Sequence, residues 1–162
     1  MDYFFEQIVY GWLQFLYGQP LGNYLAGYHW DGTQWVLANQ NLFGTIGLVT
    51  LFITALMCVS YYYIINHPRF NRFWSWLIML AANSVINMLL GFLWTNNDLI
   101  SGKIEPELLY LTDPTTGIQV QQIFTSNCFG FGMANFFASA IFFIIISFII
   151  KWWSSNCKYS PR

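Results

Sequence analysis

Charge is scarce in this chain. Of its 162 residues only 8% are Asp, Glu, Lys or Arg, six basic against seven acidic, where a soluble domain carries about a quarter. So few charges cannot coat a globule with solvated groups, which argues against an ordinary soluble domain. A net charge of −1 also argues against a polycation, and no direct nucleic-acid binding is expected. There is no Walker loop, dinucleotide-binding glycine pattern, zinc-knuckle spacing or Asn-x-Ser/Thr sequon. Catalysis needs a nucleophile with its base, a tuned carboxylate pair or a metal, and no such set can be read from the sequence. An enzyme is therefore not expected, and neither a cofactor nor a metal is implied.

What is abundant is apolar and aromatic: 56% hydrophobic, with 16 Phe, 10 Tyr and 8 Trp. Disorder is incompatible with that content. Three stretches free of ionisable side chains, Leu42–Ile65, Phe73–Thr95 and Cys128–Ile150, read as transmembrane helices. At about 1.5 Å per residue, about 23 residues reach roughly 34 Å, enough to cross a hydrocarbon core of about 30 Å. The backbone must bond to itself in lipid, which selects helices. The fold expected is an all-α integral membrane protein, one domain, built as a small bundle of three or four transmembrane helices.

Orientation follows from the few cations. Arg69 and Arg72 lie between the first two spans, and Lys151, Lys158 and Arg162 follow the third, whereas Lys103 alone lies in the 96–127 loop. The positive-inside rule then places the 66–72 turn and the 151–162 tail in the cytoplasm of a plasma (inner) membrane, with 96–127 outside. The same cations suit anionic headgroups or a soluble cytoplasmic partner. Tyr61, Tyr62, Tyr63, Trp74, Trp76, Trp152 and Trp153 mark the inner boundary, Trp35 and Trp94 the outer.

Residues 1–41 are an amphipathic or re-entrant segment, with a fourth span from Tyr3 to Tyr28 as the alternative. Phe5, Ile8, Val9, Trp12 and Leu16 have the spacing of one helical face, and Gly18-Gln19-Pro20 reads as a helix stop. In the external loop, Glu107–Thr112 and Ile118–Phe124 flank a Pro- and Gly-containing turn, the pattern of a β-hairpin. It is expected to lean on the Asn23–Trp35 segment or on a neighbouring subunit, because a lone hairpin is marginal in water.

The candidate site is a ladder of neutral polar residues inside the spans: Thr50 and Thr54, Asn83 and Asn87, Asn135 and Ser139. Each pair shares one side of its helix, and Gly47, Gly91 and Gly132 continue the same faces as close-packing positions. Amides do not face lipid unpaired, so the ladder points inward. It either bonds helix to helix or lines a polar path, and a ring of copies would place Asn83 and Asn87 around an axis. Phe136, Phe137, Phe142 and Phe143 meet lipid, pack, or narrow a bore.

Other polar residues carry weaker expectations. His29 with Asp31 is at most two metal ligands. His67 reads as a solvated turn residue, and Glu105 and Glu107 as loop charges. Cys58, Cys128 and Cys157 fall at three depths, so none pairs within the chain, and Cys128 alone is placed to link two subunits. Glu6 is the acid that would serve a proton relay if the first segment enters the membrane. The function expected is a non-enzymatic homo-oligomeric membrane subunit that senses or recruits a partner. The alternative is a pore or membrane-permeabilising channel of the phage-defence or toxin type.

Overall fold

The computed structural model describes residues 4–31, 33–37, 40–65, 73–112 and 117–153. Three of its helices are long and apolar enough to cross a membrane: α3 (Leu42–Val59, continued by π turns over Ser60–Ile65), α4 (Phe73–Ile100) and α6 (Thr125–Trp153). Before them come a segment of π, 3-10 and α turns over Phe4–Tyr17, whose last turn is α1 (Gln14–Tyr17), and α2 (Gln19–Ala26). Two antiparallel hairpins complete the chain: β1 (Tyr28–Trp30) with β2 (Trp35–Leu37), and β3 (Tyr110–Thr112) with β4 (Gln119–Gln121). A short helix, α5 (Pro106–Leu109), precedes β3.

Helix direction follows from the side-chain bonds. Thr50 reaches Asn135 and Cys58 reaches Phe143, a constant offset of 85, so α3 and α6 run parallel and in register. Asn87, Asn83 and Trp76 meet Asn135, Ser139 and Ser147 in reverse order, so α4 is antiparallel to α6. The α4–α6 pair makes the most extensive helix contact. Glycine permits it: a Cβ at Gly132 would lie 2.9 Å from the Met88 carbonyl oxygen, and one at Gly91 3.1 Å from the Asn135 Cβ. Both hairpins lie where α4 ends and where α3 and α6 begin, which defines a hairpin end of the bundle.

The bundle carries a polar stripe within an otherwise apolar core, and its flanks are apolar. Thr50, Thr54, Asn83, Ser84, Asn87, Asn135 and Ser139 have no exposed surface, whereas Phe52 (65%), Ile78 (66%) and Phe148 (69%) face outward. Such an arrangement suits helices whose surroundings are apolar and whose interior supplies hydrogen bonds, and it is consistent with a helical membrane protein.

Several boundaries depart from the sequence reading. α4 continues past Thr95 to Ile100, because Thr95 and Asp98 extend its buried stripe. α6 begins at Thr125, where the Asn127 side chain accepts from the Phe124 amide. Gly18 does interrupt the first segment, at φ +82°, but Gln19-Pro20 opens α2 instead of closing a helix, since proline fits a first turn.

The inward face of the first segment is also rotated. Phe5, Val9, Tyr10, Leu13 and Tyr17 are buried, while Ile8 (64%) and Trp12 (55%), expected on that face, are exposed. The π turns cause this: i→i+5 winding swings Tyr10 inward and carries Ile8 and Trp12 out of the 3.6-residue stripe. The expected hairpin is present with shorter strands, since Pro106–Leu109 is helical, and the β1–β2 hairpin was not anticipated. Arg69, Arg72, Lys158, Arg162, His67 and Cys157 lie outside the described residues, as do the side chains of Trp152 and Trp153.

Candidate functional site

Asn135 is the hub of the ladder. Its Oδ1 accepts from the Tyr10 hydroxyl at 2.6 Å and from Thr50 Oγ1 at 3.0 Å, and its Nδ2 donates to the Asn87 carbonyl at 2.7 Å. One amide thus joins the N-terminal segment, α3, α4 and α6. One turn away, Asn83 Nδ2 donates to the Ser139 carbonyl at 3.3 Å. Asn87 Nδ2 donates to the Asn83 carbonyl at 2.9 Å and to its Oδ1 at 3.2 Å. Ser139 Oγ turns back to the Phe136 carbonyl of its own helix.

Five of the six ladder residues are therefore bonded to one another or to backbone within one chain. The sixth, Thr54, is buried on the same face of α3, one turn beyond Thr50, and its Oγ1 has no partner. Ser84 Oγ and Asn87 Oδ1 are also buried without one. Both Asn83 and Asn87 side chains are fully buried within one chain, Asn83 against the Ser139 carbonyl of α6 and Asn87 against Asn83.

The glycines work as sockets rather than as further rungs. A Cβ on Gly47 would overlap the Phe5 ring, and one on Gly130 would overlap the Leu16 carbonyl oxygen. Gly130, which the sequence reading did not single out, is a position where the backbone of the N-terminal segment, at Leu16 and Tyr17, lies directly against α6. Tyr10, equally unforeseen, is buried between Phe43 (5.4 Å, stacked) and Phe131 (5.3 Å). The Tyr17 hydroxyl donates to the Tyr10 carbonyl, and the Tyr17 carbonyl accepts from Asn127 Nδ2. Of the phenylalanines, Phe142 and Phe143 are buried and Phe137 is 42% exposed. Phe142 packs on Phe5 and Phe143 on Trp76, so these two rings fill the bundle instead of contacting lipid.

At the hairpin end Glu105, Asp31 and Asp98 have partners. Glu105, expected to be a loop charge, sits within hydrogen-bonding distance of His29 Nδ1 and accepts from the Trp30 amide at 3.5 Å, tying β1 to the start of α5. Asp31 turns to its own loop. Its Oδ1 accepts from Thr33 N, Thr33 Oγ1 and Gln34 N, each at 2.8 Å, and these bonds, the Gln34 amide first, hold its carboxyl below the usual range. Among the described residues no group of three His, Cys, Asp or Glu is placed to hold a metal.

Asp98, 3% exposed, takes Lys103 Nζ at 2.9 Å. Burial and this carboxylate hold the nearby Tyr24 hydroxyl protonated well above the ordinary phenol range. Glu6 accepts from Asn41 Nδ2 at 2.8 Å, while Asn41 Oδ1 caps α3 at the Gly44 amide. Cys128 has no exposed surface, so it is not presented for a disulfide between subunits as the sequence suggested. Cys58 is buried against Phe143 and Ser147.

Chemically, the ladder consists of neutral amides and hydroxyls, which donate and accept hydrogen bonds. Comparison of the chain with protein-family models, curated proteins and solved structures returned no match.

Proposed function

We propose that the chain is a non-enzymatic, multi-pass membrane subunit that assembles with copies of itself and recruits or senses a partner. The observation behind this reading is the Asn135 hub. The Asn135, Tyr10 and Thr50 polar groups are engaged inside one chain, so what each copy offers its neighbours is chiefly an apolar flank and the hairpin end. On the flank, Trp74 (70%), Phe52 and Phe148 are large exposed side chains of the sort that assembly covers. At the hairpin end, the cross-strand pair Leu111 and Val120 is exposed at 59% and 55%.

Under the positive-inside rule the protein lies in a plasma (inner) membrane with its C-terminus cytoplasmic. Arg69, Arg72, Lys151, Lys158 and Arg162 then meet anionic headgroups or a soluble partner on that side. Light scattering of the purified protein in detergent tests the assembly. More than one copy per particle is expected, and a monomer at all concentrations overturns it. Labelling of Cys157 by an impermeant thiol reagent in intact cells would overturn the orientation.

A second reading, a conducting path, draws support from the three buried polar atoms on Thr54, Ser84 and Asn87 that lack partners. It predicts ion flux through liposomes that falls on Asn83→Leu plus Asn87→Leu. No flux, or flux unchanged by the substitutions, removes it.

A further inference from the structure

The N-terminal segment widens one half of the bundle and leaves the other half as three helices. Along α6 its contacts run from Phe142 (Phe5) through Asn135 (Tyr10) and Gly130 (Leu16) to Asn127 (Tyr17). Along α3 they lie at Asn41, Phe43 and Gly47. At the far end, α3, α4 and α6 meet one another through Cys58, Trp76 and Ser147. The segment is therefore seated at the hairpin end.

Its buried face is apolar and its outer face mostly so. Phe5, Val9 and Leu13 are buried, and Phe4 (47%), Ile8 (64%), Trp12 (55%) and Phe15 (78%) form a second stripe pointing away from the bundle, with Gln7 and Gln14 exposed beside it. A helix lying at the water boundary shows a predominantly polar outer face, whereas here four large apolar side chains stand against two glutamines. The segment packs on α3 at Gly47, and α3 exposes Leu48 and Phe52. The sockets at Gly47 and Gly130 and the Glu6–Asn41 bond fasten it in place.

We propose that Phe4–Tyr17 is a one-leaflet wedge. Its outward stripe is covered by acyl chains of the hairpin-side leaflet, and the protein favours bilayers in which that leaflet is convex. The inference rests on the membrane reading above. Its physical basis is that extra protein cross-section in one leaflet is relieved by curvature, as with inserted amphipathic helices.

The test compares the full chain reconstituted into small sonicated and large extruded vesicles of the same lipid. A Gln119→Cys label site at the hairpin end, in a Cys157→Ser background, reports orientation through an impermeant maleimide. The share of molecules with the hairpin end outward should rise in the small vesicles. Gly130→Leu, which pushes the segment off α6, should shrink that rise. Trp12→Gln with Phe15→Gln, which leaves the sockets intact, should shrink it too.

Equal shares in the two vesicle sizes for the wild-type sequence overturn the wedge, whatever the variants do. Disulfide cross-linking between copies carrying Trp12→Cys overturns lipid as the occupant in favour of a second copy. Release of the protein by alkaline carbonate overturns the membrane reading itself, so the two failures are distinguishable.

Discussion

Asn135→Leu removes the hub while nearly conserving volume. Three bonds are lost: from Tyr10, from Thr50 and to the Asn87 carbonyl. Interhelical bonds in membranes average about 0.6 kcal/mol, so the three together come to about 2 kcal/mol. Thr50 can turn its hydroxyl to its own helix, and Tyr10, fully buried between Phe43 and Phe131, keeps the Thr50 side chain as a neighbour. Trading the amide for that poorer partner adds up to about 1 kcal/mol, which brings the expected loss to about 2–3 kcal/mol.

Asn83→Leu removes one bond to the Ser139 carbonyl and one acceptor for Asn87, and about 1 kcal/mol is expected. Unfolding in mixed micelles with increasing SDS, followed by tryptophan fluorescence, ranks the two. The coupling between Tyr10→Phe and Asn135→Leu in a double-mutant cycle should be clearly above zero. Equal destabilisation by Asn135→Leu and Asn83→Leu, or zero coupling with Tyr10, would refute the hub.

Much of this arrangement was legible in the sequence because membrane solvation leaves few options. Long runs without charge must be helices, and an amide among them must turn inward, so Asn83, Asn87 and Asn135 could be assigned to the interior from spacing alone. Tyr10 was not legible. Its burial depends on π winding, which the 3.6-residue stripe through Ile8 and Trp12 does not show. Gly130 escaped for a different reason: its role is the approach of the Leu16 backbone, a tertiary fact that leaves no periodic trace. The β1–β2 hairpin is held by a Trp30–Trp35 ring contact at 5.1 Å and by Glu105, a residue 75 positions away in the chain, so short-range turn signals did not reveal it.

Gly130→Ala should cost about 1–3 kcal/mol, because the new methyl meets backbone that cannot swing aside, and faster chymotrypsin cleavage at the aromatic residues of 4–17 would report it. At the hairpin end, a double-mutant cycle on His29→Ala and Glu105→Ala should give a coupling of about 0.2–1 kcal/mol, a modest value because the two side chains are 43% and 24% exposed. The Asp31 turn should respond to acid. Its folded carboxyl is depressed, so its contribution is present above the ordinary Asp value and is lost as pH falls through the folded one. The Thr33 and Gln34 amide resonances should therefore shift below that ordinary value, not near neutrality.

The most direct test asks whether water reaches the ladder. Asn87→Cys and Asn83→Cys, placed singly in reconstituted protein that carries Cys157→Ser, are exposed to a charged methanethiosulfonate alongside a Gln119→Cys control. A ladder closed within one chain predicts that Gln119→Cys reacts promptly while both interior cysteines stay unmodified until the protein is unfolded. Prompt modification at either interior position in the folded protein would contradict it and would mark these faces as the wall of an aqueous path.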